Sequence, residues 1–302
     1  MTPPMTSSQL VDRAREAGYV LTDAGRQALP GFTPEALAEL TQALAQGATP
    51  DQISTDEWDG EPCFASITDA TSSFDALYRP THGCARFDDG LLTVGTYADD
   101  TPARWPLWAA GRARHTTIVG AQAGTTTLLR SILLGARDAD VDAQVIDVYD
   151  ASLRMLGYPT ATSLAAAETA LAGQHDLIRA RHRSGDLALR LLVINDLHLF
   201  EQHLYRLLAP VVRYAAQAGI AIVAGTRQLT LGAFGSTTSA EPTRAELTRE
   251  LVLLHTEENT TPALADAAEL PPIPARFGDG SPTAGIGYLP GRGTQPFRAW
   301  LP

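Results

Sequence analysis

The chain has no lysine: all 23 of its basic residues are arginine. An ammonium point charge on a phosphate, or a Schiff base, must therefore come from another molecule or be replaced by a guanidinium. Cysteine is nearly absent too, with only Cys63 and Cys84. Two thiols do not make a four-ligand zinc site; buried reduced thiols in a cytosolic protein are the expectation, with a disulfide second. No apolar run approaches the ~20 residues that span a bilayer. The opening MTPPMTSSQL has neither the basic nor the apolar region of a secretory signal, so a cytoplasmic protein without a membrane span is expected. No G-x-S-x-G nucleophile elbow and no H-E-x-x-H metal pair occurs. His198 and His203, read as lying on one helix, have the wrong spacing for a metal pair, and His198 is expected to pack.

What is present is unevenly charged. The 302 residues are 44% apolar and 19% charged, an ordinary globular composition. Residues 1–102 hold 5 arginines against 16 acidic residues, which accounts for the whole net charge of −11, whereas residues 103–302 hold 18 of each. An acidic front on a neutral body does not track a phosphate backbone, so charge gives no support for DNA binding.

Hydrophobic periodicity predicts helices over 8–28 and 34–46, the second with Thr33 as N-cap and Pro34 at the first helical position. Residues 47–62 read as a linker, and 84–99, CARFDDGLLTVGTYAD, as a hairpin turning at Asp-Asp-Gly. From 115 onward, short apolar runs recur at 116–120, 143–148, 190–195, 220–225 and 251–255, separated by helical segments near 128–133 and 162–183. Such runs suit buried parallel strands joined by helical crossovers. Residues 232–243 read as a mobile loop, and 285–300 as a second hairpin turning at 291–293. The arginine run at Arg179, Arg181 and Arg183 reads as the solvated end of a helix.

Three segments carry chemistry. In IVGAQAGTTTLL (118–129) a strand enters a glycine loop that opens a helix. Laid on G-x-x-x-x-G-K-[ST], Gly120 takes the first glycine, Thr125 the second, Thr126 the lysine and Thr127 the last hydroxyl. Thr125 is expected to resist the backbone angles of the missing glycine, and Thr126 brings no charge to the phosphates. The helix N-terminus still favours an anion. Taken alone, the string fits a plain strand–turn–helix better. The second segment, LLVIND (191–196), ends where such folds keep an acidic pair; Asn195 replaces the metal-binding acid, and Asp196 remains to orient a water. The third, IAIVAGTR (220–227), ends in Arg227, which fits a γ-phosphate sensor and equally an arginine that caps a carbonyl.

Taken in order, these segments resemble the FtsK/SpoIIIE-type branch of the HerA/FtsK motor ATPases, which includes DNA translocases and the ATPase domains of type VII secretion. VGTYADDTPARWPL (94–107) is similar to the family's entry hairpin, VIDVYDASLRMLGYP (145–159) to its "IDPK" strand with the lysine gone, and AAQAGIAIVAGTR (215–227) to its sensor strand. The resemblance covers roughly 91–302 and implies an α/β, RecA-like P-loop NTPase fold with a mostly parallel central sheet flanked by helices. A small acidic helical extension at 1–60 would precede a P-loop domain at 61–302. The resemblance assigns nucleotide contacts to Gly120, Ala121, Gln122, Ala123, Gly124, Thr125, Thr126, Thr127, Asn195 and Arg227. It assigns catalysis to Asp196, and Mg²⁺ to Thr127 and Asn195 if nucleotide binds. ATP and Mg²⁺ are the implied cofactors, held weakly or not at all. The expected function is a non-hydrolysing subunit or adaptor in a DNA-transfer or secretion motor, with a homo-oligomeric ring or an active motor ATPase as partner. The alternatives are an active DNA translocase with a non-standard loop, as in conjugation or chromosome segregation, and an interaction scaffold that binds no nucleotide.

Overall fold

The computed structural model describes residues 10, 11, 13, 14, 19–21, 33–46, 64–66, 75–79, 81–120, 124–235, 240–254, 270, 273, 274, 276–278, 280–289 and 295–302. The chain divides into two compact units, residues 1–77 with 277–280, and residues 78–276 with 281–302.

In the first unit, strand β1 (Tyr19–Leu21) pairs antiparallel with β2 (Phe64–Ser66), with Val20 opposite Ala65. Helix α1 (Pro34–Ala45) starts as expected: the Thr33 hydroxyl accepts from the Ala36 N–H at 3.2 Å. Leu37 and Leu40, one turn apart, are buried. The helix expected over 8–28 is corrected in part. Residues 10, 11, 13 and 14 are helical, but the β-branched and aromatic run at 19–21 finds a strand partner instead. The boundary expected at 60 falls within this unit. Cys63 lies outside the described residues, and Cys84, in the second unit, is a free, half-buried thiol.

The second unit is built on one 12-stranded sheet. Its early strands are β3 (Thr81–His82), β4 (Arg86–Asp88), β5 (Leu91–Tyr97) and β6 (Pro102–Pro106), followed by a small separate ribbon of β7 (Trp108–Ala109) and β8 (Arg112–Ala113). The β4–β5 hairpin turns at Asp89-Gly90, both with positive φ, as the sequence suggested. The chain then alternates: β9 (Thr116–Val119), α2 (Thr125–Asp138), β10 (Asp142–Ile146), β11 (Thr160–Ala161), α3 (Leu164–Ser184), β12 (Arg190–Ile194), α4 (Gln202–Ala215), β13 (Ile220–Thr226), α5 (Ala240–Leu247) and β14 (Glu250–Leu254). Strands β15 (Ile286–Tyr288) and β16 (Phe297–Leu301) close it; the turn expected at 291–293 lies outside the described residues.

Strand order is β11-β10-β12-β13-β9-β14-β15-β16-β5-β4, and the stretch from β11 to β14 is parallel throughout. This is the α/β RecA-like P-loop arrangement expected, with a mostly parallel sheet between helices. The central strands β9 and β13 are buried at every residue, as runs covered on both faces must be. Leu128, Leu129, Ile132 and Leu133 of α2 pack into the core with Val145 and Val193. Ser163 caps α3 by accepting from the Ala166 N–H, and Gly185 ends it in the left-handed region.

The loop expected at 232–243 is partly ordered: residues 231–234 form a 3₁₀ turn and 240–243 begin α5, because Phe234 and Ala240 are buried. His198 and His203 do not share a helix. The first sits in a 3₁₀ turn and the second in α4. Among the described residues, no helix is long and apolar enough to cross a membrane.

Candidate functional site

The parallel strands β9, β10, β12 and β13 present their carboxyl ends on one side, where open α/β sheets bind ligands. A cavity of about 400 Å³ opens there, lined by Gly120, Gly124, Thr125, Thr126, Tyr149, Asp150, Asp196, Leu199, Thr226 and Arg227. Five residues expected from the sequence to meet nucleotide, Gly120, Gly124, Thr125, Thr126 and Arg227, are thus brought together with Asp196. Ala121, Gln122 and Ala123 lie outside the described residues. Thr127 and Asn195 are not among the lining residues; Asn195 is only 1% exposed.

The loop solves its backbone problem differently from expectation. Gly124 takes the positive φ, +90°, and Thr125 is the first residue of α2 with no such demand on it. Thr125 turns its hydroxyl back to the Gly120 carbonyl at 3.1 Å and lays its methyl against β13. That placement requires glycine at 225, where a Cβ would stand 2.7 Å from the Thr125 Cγ2.

At the position of the missing lysine, the Thr126 hydroxyl donates to Asn195 Oδ1 in a long hydrogen bond of 3.4 Å. Asn195 Nδ2 in turn donates to Asp147 Oδ1 at 3.0 Å, and Asp147 Oδ2 accepts from the Leu153 N–H at 2.9 Å. Asp147 is 1% exposed. Asp196, at the next position after Asn195, sits in the left-handed region with φ of 52°, which aspartate tolerates better than most residues. Its neighbour His198 receives the Arg227 N–H on Nδ1 at 3.4 Å. Burial holds the His198 imidazole below its usual range, against the opposing pull of Asp196. Tyr149 closes one wall by donating its hydroxyl to the Leu199 carbonyl at 2.5 Å.

Among the described residues, the ionisable groups lining the cavity, apart from the tyrosine, are two carboxylates and one guanidinium. The first turn of α2 adds backbone N–H groups without intrahelical partners. Such a set can hold an anion at the helix end but gives it one compensating cation, Arg227. Mg²⁺ does not fit the residues assigned to it. Asn195 has its carbonyl engaged by Thr126 and its amide by Asp147, and a hard cation prefers free carboxylates and water. Among the described residues, no group of three or more His, Cys, Asp or Glu is placed to hold a metal.

Sequence reading missed Asp147, Tyr149, Asp150 and Leu199. All follow the last residues of parallel strands or stand within a few positions of them, and that placement at the carboxyl edge was the available signal. The buried arginine of the basic run was missed as well. Arg181 is not solvated; it donates to the carbonyls of Ala188 at 2.6 Å and Ala218 at 3.0 Å.

No protein-family model matches this chain. No curated protein matches it either. Solved structures do. The pCW3 conjugation coupling protein TcpA, in its monomer form with ATPγS, aligns with a TM-score of 0.53 at 14% identity, covering 94% of this chain and 84% of that one. The cytoplasmic domain of EssC aligns at 0.52 and 17% identity, covering 89% of this chain and 52% of that one. The cytoplasmic domain of the Thermomonospora curvata type VII secretion ATPase EccC aligns at 0.51 and 16% identity, covering 75% and 30%. The chain thus spans about half of the EssC structure and under a third of the EccC structure. At such identities the likeness is one of fold.

Proposed function

We propose that this chain, which has the fold of an FtsK/SpoIIIE-type P-loop ATPase, is a non-hydrolysing subunit or adaptor that works beside an active motor in DNA transfer or secretion. One observation supports the reading: Thr126, which the loop alignment sets at the lysine position, brings no positive charge and donates its hydroxyl to Asn195 at 3.4 Å. The lysine and the metal-binding acid are both replaced, while Gly124 meets the loop's demand for a positive φ. Losing one preorganised electrostatic group typically costs about 3 kcal/mol of transition-state stabilisation, so losing two leaves little turnover. The fold shared with conjugation and secretion ATPases supports the setting, in which the chain contacts a motor protein. ATP is the ligand the cavity would take, weakly, through the helix N-terminus and Arg227. The test is ATP hydrolysis by purified protein, with and without DNA. The expected result is no turnover above background; turnover at motor-like rates, abolished by Asp196→Ala, ends this reading.

A second reading is favoured by Arg227, the one cation among the described lining residues. It would supply the missing positive charge to an active, altered site. Nucleotide titration separates the two. Tight Mg²⁺-dependent binding with ring assembly, lost in Arg227→Ala, supports the active site. Binding that is weak and needs no Mg²⁺ supports the adaptor.

A further inference from the structure

We propose that Asp147 and Asn195 form a carboxylate–amide latch that stands in for the metal ion, holding the cavity in shape without a divalent cation. The inference rests on the non-hydrolysing reading above and explains how such a site keeps its form.

In a working P-loop site, Mg²⁺ lies between the loop hydroxyl and an acid at the tip of a neighbouring strand, tying the two together. Here Thr126, one position before the hydroxyl assigned to Mg²⁺, donates to Asn195 over 3.4 Å and joins the loop to the strand tip without an ion. The tie continues inward. Asn195 donates to Asp147 at the end of β10, and Asp147 receives the Leu153 N–H on its other oxygen. The start of α2, the tip of β12 and the segment 147–153 are thereby joined through two side chains, each 1% exposed. Tyr149 adds a second link between the same two strand ends. Three elements that line the cavity are therefore fixed by the protein alone.

The residue type at 195 follows from this geometry. Its side chain must donate to Asp147 and accept from Thr126 with one planar group, which an amide does and an ionised carboxylate does not. An acid at 195 would bring a second buried carboxylate against Asp147, across the 3.0 Å now spanned by a hydrogen bond. The Asp147 carboxylate, just past β10, is buried, and Asn195 is its complement. Asp147 and Asn195 are positioning residues, acting on the loop through Thr126.

The test is an exchange in the full chain. Asn195→Asp and Asp147→Asn are made singly and together, and thermal unfolding midpoints are read with and without millimolar MgCl₂. Each single variant is expected to lose roughly 5–10 °C, and the double exchange, which restores one acid and one amide, to recover most of it. Thr126→Val, which removes only the outer link, is expected to lose less than either, and it remains readable if a single variant does not fold. In the wild type, MgCl₂ with or without ATP is expected to leave the midpoint unchanged. A double variant no better than the sum of the two singles overturns the latch, as does a wild-type midpoint that rises with MgCl₂. ATP turnover by the wild type would end the non-hydrolysing reading while leaving the exchange result to stand on its own.

Discussion

His115 precedes β9 and is buried between strand and helix, with Nε2 3.0 Å from the Val212 carbonyl of α4 and Nδ1 accepting the Ile222 N–H of β13 at 3.1 Å. That pairing fixes the tautomer with the proton on Nε2. Burial lowers its pKa from 6.5 to about 4, more than the Val212 carbonyl and Glu246 raise it. Between those values the unfolded chain takes up a proton that the folded chain refuses. Stability from this residue is therefore complete above pH 6.5 and is lost as the pH falls towards 4, by about 3 kcal/mol in all. Urea unfolding across that range should show the slope, and His115→Gln should flatten it while lowering stability at neutral pH. Gly225 offers a second residue-scale expectation. A methyl there would press on Thr125 and on Leu129 Cδ1, 3.0 Å away, so Gly225→Ala should cost about 1–3 kcal/mol in the same measurement. Neither role was legible in the sequence. A glycine in an apolar strand and a histidine before one carry no mark of what they touch, and Asp147 read only as part of a strand-end motif. Gly120, Thr126 and Asp196 were legible, because a loop between strand and helix fixes where its residues go.

At the scale of elements, the alternating order of strands and helices from 116 to 254 was readable, because buried parallel strands are short, continuous and apolar. The N-terminal helix was overread because the partner that draws 19–21 into a strand lies more than 40 residues away at 64–66, and periodicity sees only neighbours. The basic run on α3 was misjudged for a related reason. Helical spacing alone does not tell that Arg181 meets the entries to β12 and β13. Arg181 binds the carbonyls of Ala188 and Ala218, the second of these bonds being buried. Arg181→Met should therefore destabilise the protein by about 2–3 kcal/mol, whereas Arg179→Ala and Arg183→Ala, at exposed positions, should change it by less than about 0.5 kcal/mol. Comparing the three midpoints in denaturant checks this directly.

For the molecule as a whole, the charge boundary at 102 and the structural boundary at 77 do not coincide: residues 78–102 carry part of the acidic front into the second unit. The residues of the central sheet and its covering helices all lie within 78–276 and 281–302. A chain starting at residue 78 should therefore fold, giving an α/β circular dichroism spectrum and cooperative unfolding; a molten, non-cooperative product would show that this core needs the first 77 residues. The sheet itself imposes an order on assembly. Strand β5 pairs with β16, so that Gly95 lies opposite Ala299 across some 200 residues of intervening chain. During synthesis β5 can pair at once with β4 and β6, but its 95–97 end waits for β16. Until then that end is open to strands of other chains, and a protein cut short before residue 297 would keep it so.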